Sequence, residues 1–325
     1  MPKPAPTALI VHGGAGSRGP AGERGERKRA IMNAVKAGAS ILREGGSALD
    51  AVIASVVLLE DHPLFNAGYG STLTIDGTVE MDASVMFAMP APDDPRKTFA
   101  KAGAVAAVSR VKNPVRLARA VMEHTPHVMM VGNGAERFAR DSDIRLCDPD
   151  TMIAPRARER FLERLKAQHQ VGFPREGHGT VGAAALDIHR QVAAATSTGG
   201  VPGKMPGRIG DSAIIGAGTF ASAMGAASAT GHGEAIIMAS LCRETVKALE
   251  NSDPMRIARR MIAELIIPQR SEAGVVIVDR RGRIGWAHNA ETLEVGLFHS
   301  TSGRSGGVVR HEWAAPIPTP RKPRP

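Results

Sequence analysis

Four short segments in the second half of the chain bring hydroxyls, charges and glycines together: "HGTVG" at 178–182, "TSTGG" at 196–200, "PGRIGDS" at 206–212 and "TGHGE" at 230–234. A threonine hydroxyl becomes a nucleophile when a base stands beside it. Thr180 and Thr198 fall on neighbouring strands of one expected hairpin, so the two hydroxyls can approach. Arg208 and Asp211 lie in a glycine-flanked loop. An arginine can grip a carboxylate bidentately and an aspartate can accept from an ammonium, which together suit an amino-acid headgroup. Spacing alone fits an ordinary loop ion pair better. Gly179 directly before Thr180 is open to two readings. It can simply turn the chain into a strand, or it can expose a strained peptide bond to the threonine hydroxyl.

Other chemistries lack their patterns. No G-x-S-x-G elbow and no H-E-x-x-H occurs. Cys147 and Cys242 sit in no metal-ligand spacing. "HGGAG" at 12–16 follows a strand and precedes a helix, but it lacks the G-K-[ST] ending and is not G-x-G-x-x-G. It reads as a structural turn, with His12 an interior histidine. His232, beside glycines near a strand end, is a candidate to touch substrate.

The elements that position these residues follow from periodicity. "TALIVHGGAG" reads as a buried strand. Ile31, Val35, Ala39 and Leu42 mark a helix closed by Gly45-Gly46. Ser47 and Asp50 resemble a capping box opening a second, almost wholly apolar helix. "STLTIDGTVEMDASVMF" is expected as a hairpin turning at Asp76-Gly77. "AGAVAAVS" and "HVMMVG" read as strands, "NPVRLARAVMEH" as a helix capped by Asn113, and "NGAERFARDS" as a short helix. From about 141 to 179 the chain is charged and reads as a long exposed connector holding one helix, "ARERFLERLKAQHQ". Beyond Thr180, "TVGAAALDI" and "QVAAATSTGG" form a hairpin. "DSAIIGAGTFAS" and "MGAASATGHGE" add strands, "EAIIMASLCRETVKAL" and "DPMRIARRMIAELI" are helices, and "AGVVIVDRRGRIGWAHN" is a last hairpin. The tail from about 314 is proline-rich and expected to be disordered. The fold class is α+β: two packed, mostly antiparallel sheets with helices outside both, a four-layer αββα sandwich.

Composition narrows the class. At 43% hydrophobic and 3% aromatic, the core is built from small and aliphatic side chains. The net charge of +9 sits largely in loops and at the end, with no aromatic-interleaved basic strand, so nucleic acid is not the expected partner. No stretch reaches transmembrane length, so no membrane partner is expected either. Two cysteines and no signal-like start point to the cytoplasm.

The motifs "IVHGGAG", "HPLFNAGYGSTLT", "EMDASVM", "AGAVAAVSRVKNPVRLARAVME", "PHVMMVG", "GTVGAAALD", "AAATSTGG", "PGRIGDSAIIGAGTFA" and "TGHGE", in this order, resemble the plant-type L-asparaginase/isoaspartyl peptidase family of N-terminal nucleophile hydrolases. The resemblance runs from about residue 8 to 290. It implies a precursor that cuts itself between Gly179 and Thr180. The α subunit is then 1–179 and the β subunit 180–325, both parts of a single folded domain. It implies Thr180 as nucleophile, Thr198 as its hydrogen-bond partner, and Thr230 with the Gly231 N–H as an oxyanion hole. Arg208 would hold the substrate carboxylate, Asp211 and the Gly233 carbonyl its ammonium, and Asn66 would support the site. No cofactor is implied for catalysis. The stretch "LLEDHPLFNAGYG" is similar to the family's loop for a structural Na⁺, held by the carbonyls of Leu59, Glu60, His62, Phe65, Ala67 and Tyr69. An irregular turn around Pro63 is the plainer alternative.

The activity implied is hydrolysis of L-asparagine and of β-aspartyl dipeptides by a dimer of α/β heterodimers. Glycosylasparaginase and the threonine aspartase branch are the rival readings within the superfamily. A non-catalytic, nucleic-acid-associated homologue is the rival outside it. His232 stands where some relatives carry a small residue.

Overall fold

The computed structural model describes residues 6–17, 20–91, 97–166, 179–250, 252–300, 308–313 and 317. Among the described residues, twelve strands form two sheets. In chain order they are β1 (Ala8–Gly16), β2 (Met81–Pro90), β3 (Thr98–Val108), β4 (Met129–Val131), β5 (Val181–Leu186), β6 (Val192–Thr198), β7 (Thr219–Ser222), β8 (Gly225–Gly231), β9 (Ala273–Asp279), β10 (Ile284–His288), β11 (Thr292–His299) and β12 (Val308–Trp313). The larger sheet runs β12-β11-β1-β5-β6-β2-β3-β4 and the smaller β10-β9-β8-β7. Every pairing is antiparallel except β3 with β4.

Among the described residues, eight α-helices flank them: α1 (Arg24–Arg43), α2 (Ala48–Glu60), α3 (Pro114–His124), α4 (Gly132–Asp141), α5 (Pro155–Lys166), α6 (Gly233–Ala239), α7 (Leu241–Lys247) and α8 (Pro254–Met261). The alternation of each strand sorts its side chains between layers. Leu9, Val11, Ala183, Ala185, Ala193 and Ala195 join one core with α1, α2 and α3. Ala8, Ile10, Ala184, Leu186, Val192 and Ala194 face the second sheet, meeting Ala226, Val276 and Val278. A third core lies between the small sheet and α6–α8. The expected four-layer αββα sandwich is the observed architecture. Alanine-rich strands make it workable, because small side chains let the sheets and the helix layer come close.

Several local expectations are corrected. "HGGAG" does not end the strand: β1 continues to Gly16, and a bulge between His12 and Ala15 absorbs the glycines, with Gly14 at φ 107°. The 71–87 hairpin reduces to a single bridge, Leu73 to Val79. β2 pairs with β3 and β6 instead, where Met81–Met86 are buried. Asn113 makes no side-chain cap. Its amide donates to Asp61, and the buried Glu60 carboxyl accepts the Val115 N–H at 3.1 Å in its place.

The helix expected over 234–249 breaks at Ser240, whose φ of 46° starts a second helix at a new angle. The one over 253–266 ends in a π-helical turn, Ile262–Ile266. The connector is not wholly exposed: Met152, Ala154 and Ala157 are buried, and Phe161 packs on the core. Its part 167–178, and the tail beyond 313 except Ile317, lie outside the described residues. β11 and β12 carried no signal recognised in the sequence.

Ser47 caps α2 as expected, its hydroxyl accepting the Asp50 N–H at 3.0 Å. Such a cap contributes about 1 kcal/mol.

Candidate active site

The first residues of β5, the last of β6 and the last of β8 meet at one end of the sandwich. β5 pairs with β6 at Val181–Ser197, and the next step of that register sets Thr180 opposite Thr198. The Thr180 hydroxyl donates to Thr198 Oγ1 at 3.1 Å. Both residues are buried. Thr198 Oγ1 also accepts the Gly200 N–H at 3.0 Å, so two donors fix its lone pairs. Thr180, Thr198, Gly200, Val201, Arg208, Asp211, Gly231 and Gly233 line one recess. Thr230 lies behind this lining. Its Oγ1 accepts the Ala15 N–H at 3.1 Å, which leaves its own proton free to be donated.

Arg208 and Asp211 do not pair with each other. Arg208 Nε donates to Glu234 Oε1 at 2.9 Å, and Nη2 lies 2.8 Å from the same oxygen. Asp211 is buried, with Oδ2 unpartnered among the described residues. Burial pushes its carboxyl up to about 7, while the Arg208 charge pulls the other way. The loop that carries both is braced from β2 and the residue before it: Asp82 Oδ2 accepts the Gly210 N–H at 2.9 Å, and Glu80 Oε2 accepts that of Gly207 at 2.8 Å. A Cβ at Gly233 would stand 2.7 Å from Arg208 Nη2 and 3.0 Å from Asp211 Oδ1, so glycine there is what leaves both side chains in place.

Asn66 ties the site to its neighbouring loop. Its amide donates to Gly200 O at 2.6 Å, its Oδ1 accepts the Thr72 N–H at 2.8 Å, and its carbonyl accepts the Gly199 N–H at 3.0 Å. Gly179 sits directly on it: an added Cβ would be 2.9 Å from Asn66 Cβ. Further along the loop, the carbonyls of Phe65, His62 and Pro63 converge on Gly70, and the Glu60 carbonyl crowds Gly68. Converging carbonyl oxygens suit a hard cation. Of the six carbonyls expected to hold Na⁺, those of Glu60, His62 and Phe65 are among these, and Leu59, Ala67 and Tyr69 lie on the same stretch. Among the described residues there is no cluster of His, Cys, Asp or Glu able to hold a metal ion.

His12 is interior, as the sequence suggested, and it leads to groups around the site that sequence reading did not single out. Behind Thr180, His12 is fully buried and its Nε2 is 2.9 Å from Ser228 Oγ. Burial drives its pKa down to about 3, against an opposing hydrogen bond with the Thr180 backbone, so the ring is neutral at pH 7. From Ser228 a chain of hydroxyls runs through Thr196 and Thr219 to Ser84, with steps of 2.7, 2.6 and 2.8 Å. The same-face alternation of β6 could have pointed to Thr196. Asp82, Glu80 and Glu234 carry no local signal, because their partners lie far along the chain. His232 does not line the recess. Its Nδ1 is 3.0 Å from Ser271 Oγ, and its Nε2 is 3.3 Å from Glu234 Oε2.

Comparison with known proteins gives the family. Residues 5–305 match the family described as Asparaginase. The chain is 40% identical over 277 residues to the mouse isoaspartyl peptidase/L-asparaginase, covering 84% of this chain and 82% of the mouse protein. It is 40% identical over 298 residues to the plant-type L-asparaginase of Pyrococcus abyssi, covering 88% and 94%. It is 39% identical over 318 residues to the isoaspartyl peptidase of Salmonella typhimurium, covering 93% and 98%. With paired threonines, an arginine and a buried aspartate around one recess and a match over nearly its whole length, the chain belongs to the asparaginase family.

Proposed function

We propose that the protein is a self-cleaving threonine hydrolase that releases ammonia from L-asparagine and splits β-aspartyl dipeptides. The observation that carries this reading is the Thr180–Thr198 hydroxyl pair in a recess also lined by Arg208 and Asp211. Inside an intact chain, the Thr180 nitrogen is an amide and cannot act as a base. Attack of Thr180 Oγ1 on the Gly179 carbonyl would move the acyl group from nitrogen to oxygen. Water would then free the Gly179 carboxylate and leave Thr180 as an N-terminus. A free α-amine has a reference pKa of about 7.7–8.0, near enough to neutral to serve as base for its own hydroxyl.

The substrate's α-carboxylate would rest on Arg208. Its ammonium would meet the unpartnered Asp211 Oδ2 and the Gly233 carbonyl, and its β-carbonyl would point at Gly231 N–H and Thr230 Oγ1. Thr180 Oγ1 then adds to the β-carbonyl, and the oxyanion is held by those two donors. The leaving ammonia or amino acid takes the proton, and water hydrolyses the ester to give aspartate. Loss of one oxyanion donor typically costs about 10²–10³ in kcat. Asn66 supports the bond to be cut.

Na⁺ held by the carbonyls of Leu59, Glu60, His62, Phe65, Ala67 and Tyr69 would be structural, keeping that loop in shape. The α (1–179) and β (180–325) subunits would assemble as a dimer of heterodimers. Free thiols at Cys147 and Cys242 support a reducing, cytoplasmic setting. No helix among the described residues is long and apolar enough to cross a membrane.

The test is ammonia and aspartate release from both substrates by the cleaved protein and by Thr180→Ala. The alanine variant should stay a single chain and be inactive. An active alanine variant would disprove the mechanism.

A further inference from the structure

Arg27, on α1, is the least expected group near the site. Only 17% of its side chain is exposed. Nε donates to Glu294 Oε2 at 2.7 Å, Nη1 to the Leu64 carbonyl at 2.6 Å, and Nη2 to the Gly13 carbonyl at 3.0 Å. Its Cζ lies 4.6 Å from the centre of the Phe65 ring. Glu294 is itself almost fully buried, on β11 opposite the β1 bulge, where the register skips from His12–Val295 to Ala15–Leu293. A buried ion pair is a weak source of net stability, because desolvation offsets the attraction. Its value lies in where its donors end. Two of them satisfy backbone carbonyls of segments that regular structure leaves open: the β1 bulge and the loop after α2.

Leu64 is not among the carbonyls expected to hold Na⁺, yet it sits between two of them, and Phe65, under the guanidinium, is one. The next residue is Asn66, bonded to Gly199 and Gly200 and packed on Gly179. Gly13 takes part too: a Cβ there would stand 2.7 Å from Phe65 Cε1, so the bulge and the loop are packed as one unit. Arg27 thus holds a fixed positive charge at the loop that otherwise asks for a dissociable one.

We propose that Arg27 is a positioning residue for the Gly179–Thr180 bond, an internal cation that keeps the loop and Asn66 in working geometry whether or not Na⁺ is bound. The inference rests on the self-cleaving reading above. The test follows precursor cleavage on denaturing gels and the thermal midpoint, each in sodium chloride and in choline chloride at equal ionic strength. The wild type should cleave at the same rate, with the same midpoint, in both salts. Arg27→Met keeps the stem over Phe65 and loses the charge. It should cleave about tenfold more slowly in choline, equivalent to roughly 1.4 kcal/mol of barrier, with sodium restoring rate and midpoint together. Arg27→Lys should lie between.

A wild type slowed by choline as much as Arg27→Met overturns the proposal. So does Arg27→Met that matches wild type in both salts, or that is equally slow in both. If Arg27→Met does not fold, Glu294→Gln, which loosens the guanidinium without removing it, is read by the same signs. A wild type that never cleaves would instead overturn the self-cleaving reading.

Discussion

Arg208 is bound side-on by Glu234, whose Oε1 sits 2.9 Å from Nε and 2.8 Å from Nη2. This leaves the guanidinium's other edge for a substrate carboxylate. Glu234 does the orienting, so the arginine meets substrate already aligned, at lower entropic cost. Glu234→Ala should therefore raise KM for L-asparagine about tenfold with little change in kcat, a loss of roughly 1.4 kcal/mol in ground-state binding. Steady-state kinetics on the cleaved protein decide it. An unchanged or lower KM would mean that Glu234 competes with substrate instead of aligning the arginine.

Asp211 gives a pH signature in both stability and binding. Its folded pKa, raised to about 7 by burial, lies above the ordinary value of 3.8. Between those values the folded state holds more protons than the unfolded state, so stability falls as pH rises. Asp211→Asn removes this penalty. It should raise the thermal midpoint at pH 8 and leave it near wild type at pH 4. In binding the sign reverses. The ionised form is the one that accepts an ammonium, so wild-type KM should fall as pH climbs through about 7, and Asp211→Asn should lose that dependence. A variant no more stable than wild type at pH 8 contradicts the assignment.

These two residues show how far sequence reading reached. Arg208 and Asp211 were both legible, since a charged pair set among glycines is a local pattern. Their relation was not. Spacing suggested that they bond to each other, whereas the structure gives Arg208 to Glu234 and leaves Asp211 open. The Thr180–Thr198 approach was readable because a hairpin fixes the register between nearby strands. Asp82 and Glu80 were missed because the loop they brace comes more than a hundred residues later. The layers were legible because antiparallel hairpins dominate the sequence pattern and the helices are apolar along one broad face. The break at Ser240 was not, because apolar spacing continues through it and only the backbone turns.

Gly182 tests the polar layer behind the nucleophile. An added Cβ would stand 2.5 Å from His12 Nε2 and 2.8 Å from the Ala195 carbonyl, and would press on Ser228 Oγ. None of these groups is the free end of a long side chain, so the strain cannot relax cheaply. Gly182→Ala should destabilise the protein by about 3 kcal/mol, the upper part of the range for overpacking. It should also reduce precursor cleavage, since His12 adjoins the Thr180 backbone. Denaturant unfolding and a gel time course measure the two effects. A variant of wild-type stability would mean that the sheets separate more easily than this packing implies.

Thr198→Val isolates the hydroxyl beside the nucleophile. Valine keeps the shape of threonine and removes the oxygen that accepts from both Thr180 Oγ1 and the Gly200 N–H. The Thr180 hydroxyl then loses its directional partner while the Arg208 and Asp211 contacts stay intact. The change should lower kcat about 10²-fold, the scale of a small misplacement of a reacting group. KM should stay within about threefold, because ground-state binding does not use this hydroxyl. Kinetics on cleaved protein, with Thr198→Ser as the variant that restores the oxygen, separate this from a folding defect. Serine should recover most of kcat and valine should not. Equal losses in both variants would assign the effect to the missing or added methyl group instead of the hydrogen bond.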